Sequence, residues 1–144
     1  MLYGIGCDLT HVPRIARVLE RYGTRFLRRA FHPDEIARVM ELPAQQRPVF
    51  AAGRWAAKEA VIKAAGRRLL FPDIVVLPLP LSPRPVLRFS GAGLATVRAV
   101  GVASAHVSIS HDGDYAMAHV YLERGVDALS SNSLAYDTVV SRLT

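Results

Sequence analysis

The sequence has very little cysteine, and Cys7 is the single thiol among its 144 residues. One cysteine cannot form an intramolecular disulfide or a cysteine-based zinc cluster. No apolar run reaches the roughly 20 residues that a membrane-spanning helix needs. The N-terminus lacks the charged lead and long apolar stretch of a secretory signal. We therefore expect a protein of a reducing compartment, without disulfides or membrane spans, in which Cys7 is a small core side chain.

Acidic residues are also scarce, with 12 Asp and Glu against 18 Lys and Arg, which gives a net charge of +6. A basic chain prefers an anionic partner, and nucleic acid, a phosphorylated small molecule or an acidic protein would each fit. The hydrophobic fraction of 51% is enough for a real core and excludes general disorder. The length predicts one domain, without internal repeats or low-complexity segments.

The strongest helical signal runs from Arg54 to Gly66, which is rich in alanine, free of proline and ended by glycine. Glu59 and Lys63 lie four residues apart on one face of this helix, in a stripe with Trp55. Two hypotheses explain charges on an apolar helix. They form a surface ion pair worth about 0.3–0.5 kcal/mol, or Glu59 ligates a hard divalent cation while Lys63 neutralises a bound phosphate.

A second anomaly is Asp8, an aspartate inside a segment from Met1 to Val12 that predicts a strand. Gly4 and Gly6 in this strand allow another backbone to approach closely. An edge position or a helix cap would explain Asp8 structurally. However, Thr10 or His11, just before a proline, is the better cap. A ligand role for Asp8 is therefore favoured.

Residues 13–30 predict a basic helical surface, which Gly23 divides in two. Arginines recur there at intervals of three or four, which places most of them along one side. The apolar residues, Tyr22 among them, are expected on the opposite, buried side. This surface predicts a docking site for an acidic partner, formed by Arg14, Arg17, Arg21, Arg25 and Arg28.

The remaining elements follow from periodicity and from proline and glycine signals. His111 falls at a strand end beside a tight turn, a position suited to contacting a ligand. We expect helices over 32–42 and 90–101, a polar connector over 45–48, and antiparallel strand pairs over 73–81 with 85–90 and over 105–112 with 115–123.

Three segments together resemble the holo-acyl-carrier-protein synthase family, the small type of 4′-phosphopantetheinyl transferase. They are GIGCDLTHVPRI, GRWAAKEAVIKAAG and HVSISHDGDYAMAHV, and the similarity covers roughly residues 1–123. The resemblance implies an α+β fold in which a small antiparallel sheet packs on a long central helix. It also implies a single transferase domain over residues 1–124, followed by an extension over 125–144 whose order the sequence leaves open.

The implied reaction moves the 4′-phosphopantetheine group of coenzyme A onto a serine hydroxyl of an apo acyl carrier protein, in fatty acid biosynthesis or a related pathway, and releases adenosine 3′,5′-bisphosphate. By resemblance, Asp8 and Glu59 bind Mg²⁺, and Lys63 holds the phosphate. Arg54 and His111, with Ser110 beside them, contact coenzyme A. The catalytic group is Glu59, Lys63 and His111, and the base is either Glu59 or a magnesium-bound water.

The resemblance also assigns the basic surface to the acidic acyl carrier protein, through Arg14, Arg21, Arg25 and Arg28. It implies a homotrimer with active sites at subunit interfaces, no nucleic-acid or membrane partner, and a location in the cytoplasm, or in the mitochondrial matrix of a eukaryote. The chain departs from the family pattern at GRRLL (66–70) and SPRP (82–85), where the adenosine end would bind.

Two non-catalytic alternatives remain. A basic nucleic-acid-binding domain fits the net charge, but it leaves Asp8 and Glu59 unexplained and lacks interleaved aromatic residues for base stacking. A domain that only binds the carrier protein would have no need of the intact Asp8, Glu59, Lys63 and His111.

Overall fold

The computed structural model describes residues 1–125 and 134–136. The α+β class is confirmed: the described residues form five α-helices and five strands, with four helices in succession after the first strand. In chain order they are β1 (Leu2–His11), α1 (Val12–Tyr22), α2 (Thr24–Ala30), α3 (Pro33–Glu41), α4 (Arg47–Ala65), β2 (Ile74–Pro78), β3 (Pro85–Phe89), α5 (Gly91–Ala99), β4 (Val102–Asp112) and β5 (Tyr115–Arg124).

The central helix α4 is longer than the sequence predicts, because it begins at Arg47 instead of Arg54. The expected connector over 45–48 is therefore partly wrong. Pro48 lies in the first turn of the helix, where its missing N–H costs no hydrogen bond. At the other end Gly66 takes a left-handed conformation with φ 62°, and its N–H donates to the carbonyl of Ile62, which closes the helix as expected.

The basic segment forms two helices, and Gly23 separates α1 from α2 as predicted. The five predicted arginines are exposed, whereas Ile15 and Leu27 are buried. One prediction is wrong here: Tyr22 is exposed, and the guanidinium of Arg21 lies 5.3 Å from its ring centroid.

The main sheet has the antiparallel order β1–β5–β4, and the strands β2 and β3 form a second antiparallel pair. One face of the main sheet packs on α4, where Ala118, Val120 and Leu122 of β5 are fully buried. The first half of α4 contributes Ala51 and Ala52 to a second apolar cluster, in which α1, α2 and α3 take part through Ile15, Leu27 and Val39. The helix therefore contributes to two apolar clusters, one with the main sheet and one with the other helices.

Strand β1 lies directly on α4 because Gly4 and Gly6 have no side chains. A Cβ added at Gly6 would lie 1.9 Å from the Ala60 carbonyl oxygen, and one at Gly4 would lie 2.0 Å from that of Ala64. No side chain fits at such distances, so the close approach expected from the sequence is confirmed. Asp8 follows two residues after Gly6 and therefore shares the helix-facing side of the strand.

The other face of β1 corrects an expectation, because Cys7 is exposed and not a core side chain. In this strand the apolar residues Ile5 and Leu9 point away from α4 and are each 61% exposed. The small and polar residues face the helix instead, which reverses the usual pattern of a strand.

Part of the C-terminal segment packs on the second sheet. Ala135 forms a parallel bridge with Phe89, and the Phe89 N–H donates to the Leu134 carbonyl at 2.7 Å. Leu134 is buried, and the Tyr136 hydroxyl donates to Asp34 Oδ2 at 2.6 Å. The order of the remaining extension, residues 126–133 and 137–144, lies outside the described residues. None of the helices in the described ranges is both long enough and apolar enough to cross a bilayer.

Candidate active site

Asp8 and Lys63 meet where β1 crosses the last turns of α4. The Lys63 ammonium donates to Asp8 Oδ1 at 3.2 Å and to the Cys7 carbonyl oxygen at 3.1 Å. The Thr10 hydroxyl donates to the other carboxylate oxygen, Asp8 Oδ2, at 3.1 Å. The Asp8 side chain is 19% exposed and that of Lys63 is 56% exposed, so the pair lies at a surface that a ligand can reach.

Glu59 lies one helical turn before Lys63, on the same face of α4. Lys63 pairs with Asp8, and among residues 1–125 and 134–136 Glu59 has no hydrogen bond or ion pair. The hypothesis of a simple ion pair between Glu59 and Lys63 is therefore wrong. The structure instead pairs Lys63 with Asp8, and Glu59 lies one helical turn from this pair.

This group of side chains fits a hard divalent cation. Both acidic residues offer carboxylate oxygens, which Mg²⁺ prefers as ligands, although Lys63 is paired with Asp8 Oδ1. The described part of the chain contains no cluster of three or more His, Cys, Asp or Glu side chains placed to hold a metal. If Asp8 and Glu59 held Mg²⁺, waters and phosphate oxygens would supply its other ligands, as is common at magnesium sites that act on phosphates.

Arg54 and His111 line a separate cavity of about 410 Å³. The Arg54 guanidinium stacks 3.8 Å from the centroid of the Phe50 ring, and its Nε donates to the Val76 carbonyl at 3.4 Å. Burial lowers the pKa of Arg54 to about 10, and the negative charge of Glu35 opposes this shift. Because a desolvated cation gains from an anionic partner, the cavity suits an anionic group. Its lining residues are Leu42, Gln45, Gln46, Val49, Phe50, Gly53, Arg54, Ile109, His111 and Ala116.

Ser110 does not join this cavity. It alternates with Ile109 and His111 along β4, and it is paired in register with Met117 on the outer, exposed face of the sheet. The structure therefore brings together Arg54 and His111, but not Ser110.

The two groups of site residues lie on different sides of α4. Arg54 and Glu59 are five positions apart, which is about 140° around a helix of 3.6 residues per turn. Asp8, Glu59 and Lys63 are absent from the cavity lining. One chain thus carries a carboxylate half-site (Asp8, Glu59, Lys63) and an arginine half-site (Arg54, His111) that face different directions.

A buried ion pair that the sequence did not predict, Lys58 with Glu35, supports the arginine half-site. The fully buried Lys58 ammonium bonds to Glu35 Oε1, and it donates to the carbonyls of Ala30 at 2.8 Å and Phe71 at 3.0 Å. Burial lowers the pKa of Lys58, and the Glu35 carboxylate counteracts this.

The same carboxylate reaches towards Arg54. Glu35 Oε2 accepts the Val76 N–H at 3.0 Å, while Arg54 donates to the carbonyl of the same residue. No sequence signal indicated this role: Lys58 shares a helix face with Ala51 and Ala65, but their burial is evident only in the structure.

Comparison with known proteins gives consistent results. The model of the 4′-phosphopantetheinyl transferase superfamily matches residues 4–120. The holo-[acyl-carrier-protein] synthase of Desulfovibrio desulfuricans is 39% identical over 126 residues, covering 85% of this chain and 98% of that protein. The synthase of Gloeobacter violaceus is 42% identical over 122 residues, covering 83% and 91%.

Solved structures show the same fold. The holo-[acyl-carrier-protein] synthase of Neisseria meningitidis superposes with a TM-score of 0.78 at 28% identity, covering 86% of this chain and 100% of that one. The synthase of Bacillus anthracis, solved in complex with CoA (3′,5′-ADP), gives a TM-score of 0.71 at 32% identity, covering 87% and 99%. The fold expected from the resemblance is therefore confirmed.

Proposed function

The chain belongs to the 4′-phosphopantetheinyl transferase superfamily, and from this premise we propose that it transfers the 4′-phosphopantetheine group of coenzyme A to a serine of an apo acyl carrier protein. It is an enzyme of the holo-[acyl-carrier-protein] synthase type, like relatives 35–42% identical to it over most of their length. Within the molecule, the observation that carries the proposal is the carboxylate half-site, because acids beside a lysine suit a cation-assisted reaction at phosphate.

In the proposed reaction the serine hydroxyl attacks the phosphorus that carries pantetheine. The new serine O–P bond forms as the pyrophosphate P–O bond breaks, and adenosine 3′,5′-bisphosphate leaves with the electron pair. Lys63 binds the reacting phosphate, and Arg54 with His111 binds the anionic nucleotide end. The serine proton goes to Glu59 or to a water, which are both acceptors of suitable chemistry.

We propose that Asp8 and Glu59 hold Mg²⁺ during this reaction. The ion would supply charge neutralisation across the pyrophosphate oxygens. Thr10 supports this role, because its hydrogen bond to Asp8 Oδ2 fixes the carboxylate while Oδ1 faces Lys63.

A homotrimer with active sites between subunits would reconcile the two half-sites. On one chain they face different directions, so the carboxylate half-site of one copy would complete the arginine half-site of its neighbour. The outer face of the main sheet supports such an assembly, because it exposes a contiguous set of large apolar side chains. These are Ile5, Leu9, Tyr115, Met117 and Tyr121.

The exposed arginines of α1 and α2 would dock the acidic carrier protein, through Arg14, Arg21, Arg25 and Arg28. Residues 1–124 would form the single transferase domain, which agrees with the family match over 4–120. A cytoplasmic location and a role in fatty acid biosynthesis stay predictions from the resemblance.

The test is to incubate the full chain with coenzyme A, Mg²⁺ and an apo acyl carrier protein, and to weigh the carrier by mass spectrometry. We expect one phosphopantetheine group to be added to the carrier serine. A carrier of unchanged mass, across carriers from fatty acid and polyketide synthesis, would reject the transferase. A shift in the mobility of duplex or single-stranded nucleic acid with the same preparation would then favour the nucleic-acid-binding alternative.

A further inference from the structure

Lys63 is placed where it neutralises the carboxylate that a metal ion would need. Its ammonium lies 3.2 Å from Asp8 Oδ1 and is also held by the Cys7 carbonyl at 3.1 Å. Glu59, one turn away, has no such partner among the described residues. The lysine therefore acts on only one of the two carboxylates.

We propose that Lys63 is a resting counter-ion of Asp8, released when the pyrophosphate of coenzyme A binds the ammonium, so that divalent cation and coenzyme A bind cooperatively. This inference rests on the proposed function and adds an order of events to it. Without coenzyme A, Lys63 competes with a cation for Asp8 Oδ1. With coenzyme A, Lys63 turns to phosphate oxygens and frees Asp8.

The surroundings of the pair make this exchange physically reasonable. The Lys63 side chain is 56% exposed and lies on a flexible four-carbon stem, so leaving Asp8 costs little more than a surface ion pair. An ammonium beside a divalent cation would be repelled at that distance. A pyrophosphate offers the ammonium new oxygens and removes that repulsion.

Thr10 keeps Asp8 oriented during the exchange. Its hydroxyl is bonded to Oδ2, the oxygen that Lys63 does not contact, and Thr10 is itself buried. When Lys63 leaves, the carboxylate stays in place with Oδ1 open. Because coupling between two ligands is reciprocal, the cation should strengthen coenzyme A binding by the same factor as coenzyme A strengthens cation binding.

The test measures Mn²⁺ binding to the full chain by electron paramagnetic resonance, with and without coenzyme A. Lys63→Met removes the ammonium but keeps an apolar stem of similar length. We expect this variant to bind Mn²⁺ without coenzyme A about tenfold more tightly than the wild type. The gain in Mn²⁺ affinity that coenzyme A gives the wild type should shrink in the variant.

Three further variants make the result specific. Arg98→Met on α5 removes the same unit charge at an exposed position and should bind Mn²⁺ like the wild type. Lys63→Arg keeps the positive charge, so its Mn²⁺ affinity should also match that of the wild type. Asp8→Asn should lose most Mn²⁺ affinity. Circular dichroism and thermal melting establish that each variant is folded.

The inference is overturned if folded Lys63→Met binds Mn²⁺ no more tightly than the wild type without coenzyme A, or if Asp8→Asn keeps full Mn²⁺ affinity. These outcomes are distinct from failure of the proposed function, which the wild-type carrier mass decides. A wild type that modifies the carrier while Lys63→Met shows no tighter Mn²⁺ binding rejects the counter-ion role alone.

Discussion

Asp8, Glu59 and Lys63 could be selected from the sequence because each is a charged residue in an otherwise apolar element. Charge in such a place is costly unless a partner or ligand compensates, and the structure gives Asp8 and Lys63 to each other. Glu59 is left without a partner in the described part of the chain. The residue whose chemistry is least explained by the fold is therefore the one expected to matter most for the reaction.

Glu59→Ala should reduce transfer by at least about 100-fold, because loss of the proposed metal ligand would remove several kcal/mol of transition-state stabilisation. The thermal midpoint should stay near that of the wild type, since within the described residues the Glu59 carboxylate makes no hydrogen bond or ion pair that the change would remove. Glu41→Ala, which removes an equal charge from the exposed end of α3, is the matched control and should keep its activity. Turnover of Glu59→Ala within twofold of the wild type would reject the metal assignment.

The burial of Lys58 and its ion pair with Glu35 could not be predicted from the sequence. It lies next to Glu59 and has the same charge as Lys63, but it is fully buried and bonded to Glu35 of another helix. Which lysine of α4 faces a carboxylate at the surface and which faces one in the core depends on how α3 packs. No pattern within α4 alone contains that information.

At the scale of elements, β1 on α4 is the contact that forms the carboxylate half-site. The expectation that Gly4 and Gly6 allow close approach was confirmed, because the requirement is local and steric. The predicted start of α4 was wrong, since Pro48 was assigned to the polar connector over 45–48 but lies in the first turn of the helix.

Gly6→Ala should destabilise the protein by about 2–3 kcal/mol or more, because its Cβ would overlap the Ala60 carbonyl oxygen and force β1 away from α4. Gly53→Ala is the comparison. Its Cβ would lie 3.0 Å from the Ile109 Cγ2 methyl, a much milder side-chain contact than the one at Gly6, and alanine favours the helix by up to about 1 kcal/mol. Chemical denaturation should show a large loss only for Gly6→Ala. Equal stability of the two variants would contradict the close-packing account.

The C-terminal segment gives a second prediction for an element. Tyr136→Phe removes the hydrogen bond to Asp34, at the first turn of α3, and should cost about 1–2 kcal/mol. A double-mutant cycle with Asp34→Ala separates this bond from the favourable effect of Asp34 on the helix dipole. Additive losses in the cycle would mean that the bond contributes nothing to stability.

The basic surface of α1 and α2 could be predicted from the spacing of its arginines alone, and these arginines are exposed in the structure as predicted. Arg14→Glu should raise KM for the carrier protein about tenfold while leaving KM for coenzyme A within twofold, since opposite charges chiefly steer encounter. The effect should weaken as salt is added. Arg98→Glu makes the same charge change on α5, and it should leave KM for the carrier protein unchanged at every salt concentration. Equal increases of both KM values for Arg14→Glu would contradict the docking surface.

For the whole molecule, the alternation of apolar and polar side chains between the two faces of β1 indicates how the chain assembles. Ile5 and Leu9 face away from α4, while Asp8 and Thr10 face it. An isolated chain gains nothing from exposing apolar side chains, so this pattern fits a surface that another copy covers. The expectation that Cys7 is a core residue was wrong for the same reason. An apolar strand sequence predicts a covered face, but it does not distinguish a face covered by the same chain from one covered by another copy.

The arrangement of the two half-sites also belongs to this scale. The residues Arg54 and Glu59 are close in sequence but point to different sides of one helix. Their joint use in one reaction is what the proposed assembly of two or more chains would explain. Cyclic symmetry would then give each copy one donated and one received half-site.

The most direct test of this assembly mixes two inactive chains. Glu59→Ala and Arg54→Met are co-expressed with different affinity tags, the mixed assembly is purified over both, and holo-carrier formation is followed by mass spectrometry. Each variant alone should be inactive. A mixed trimer should hold one intact site of three and recover about one third of the wild-type rate. A mixed assembly no more active than the two variants alone would contradict the shared active site.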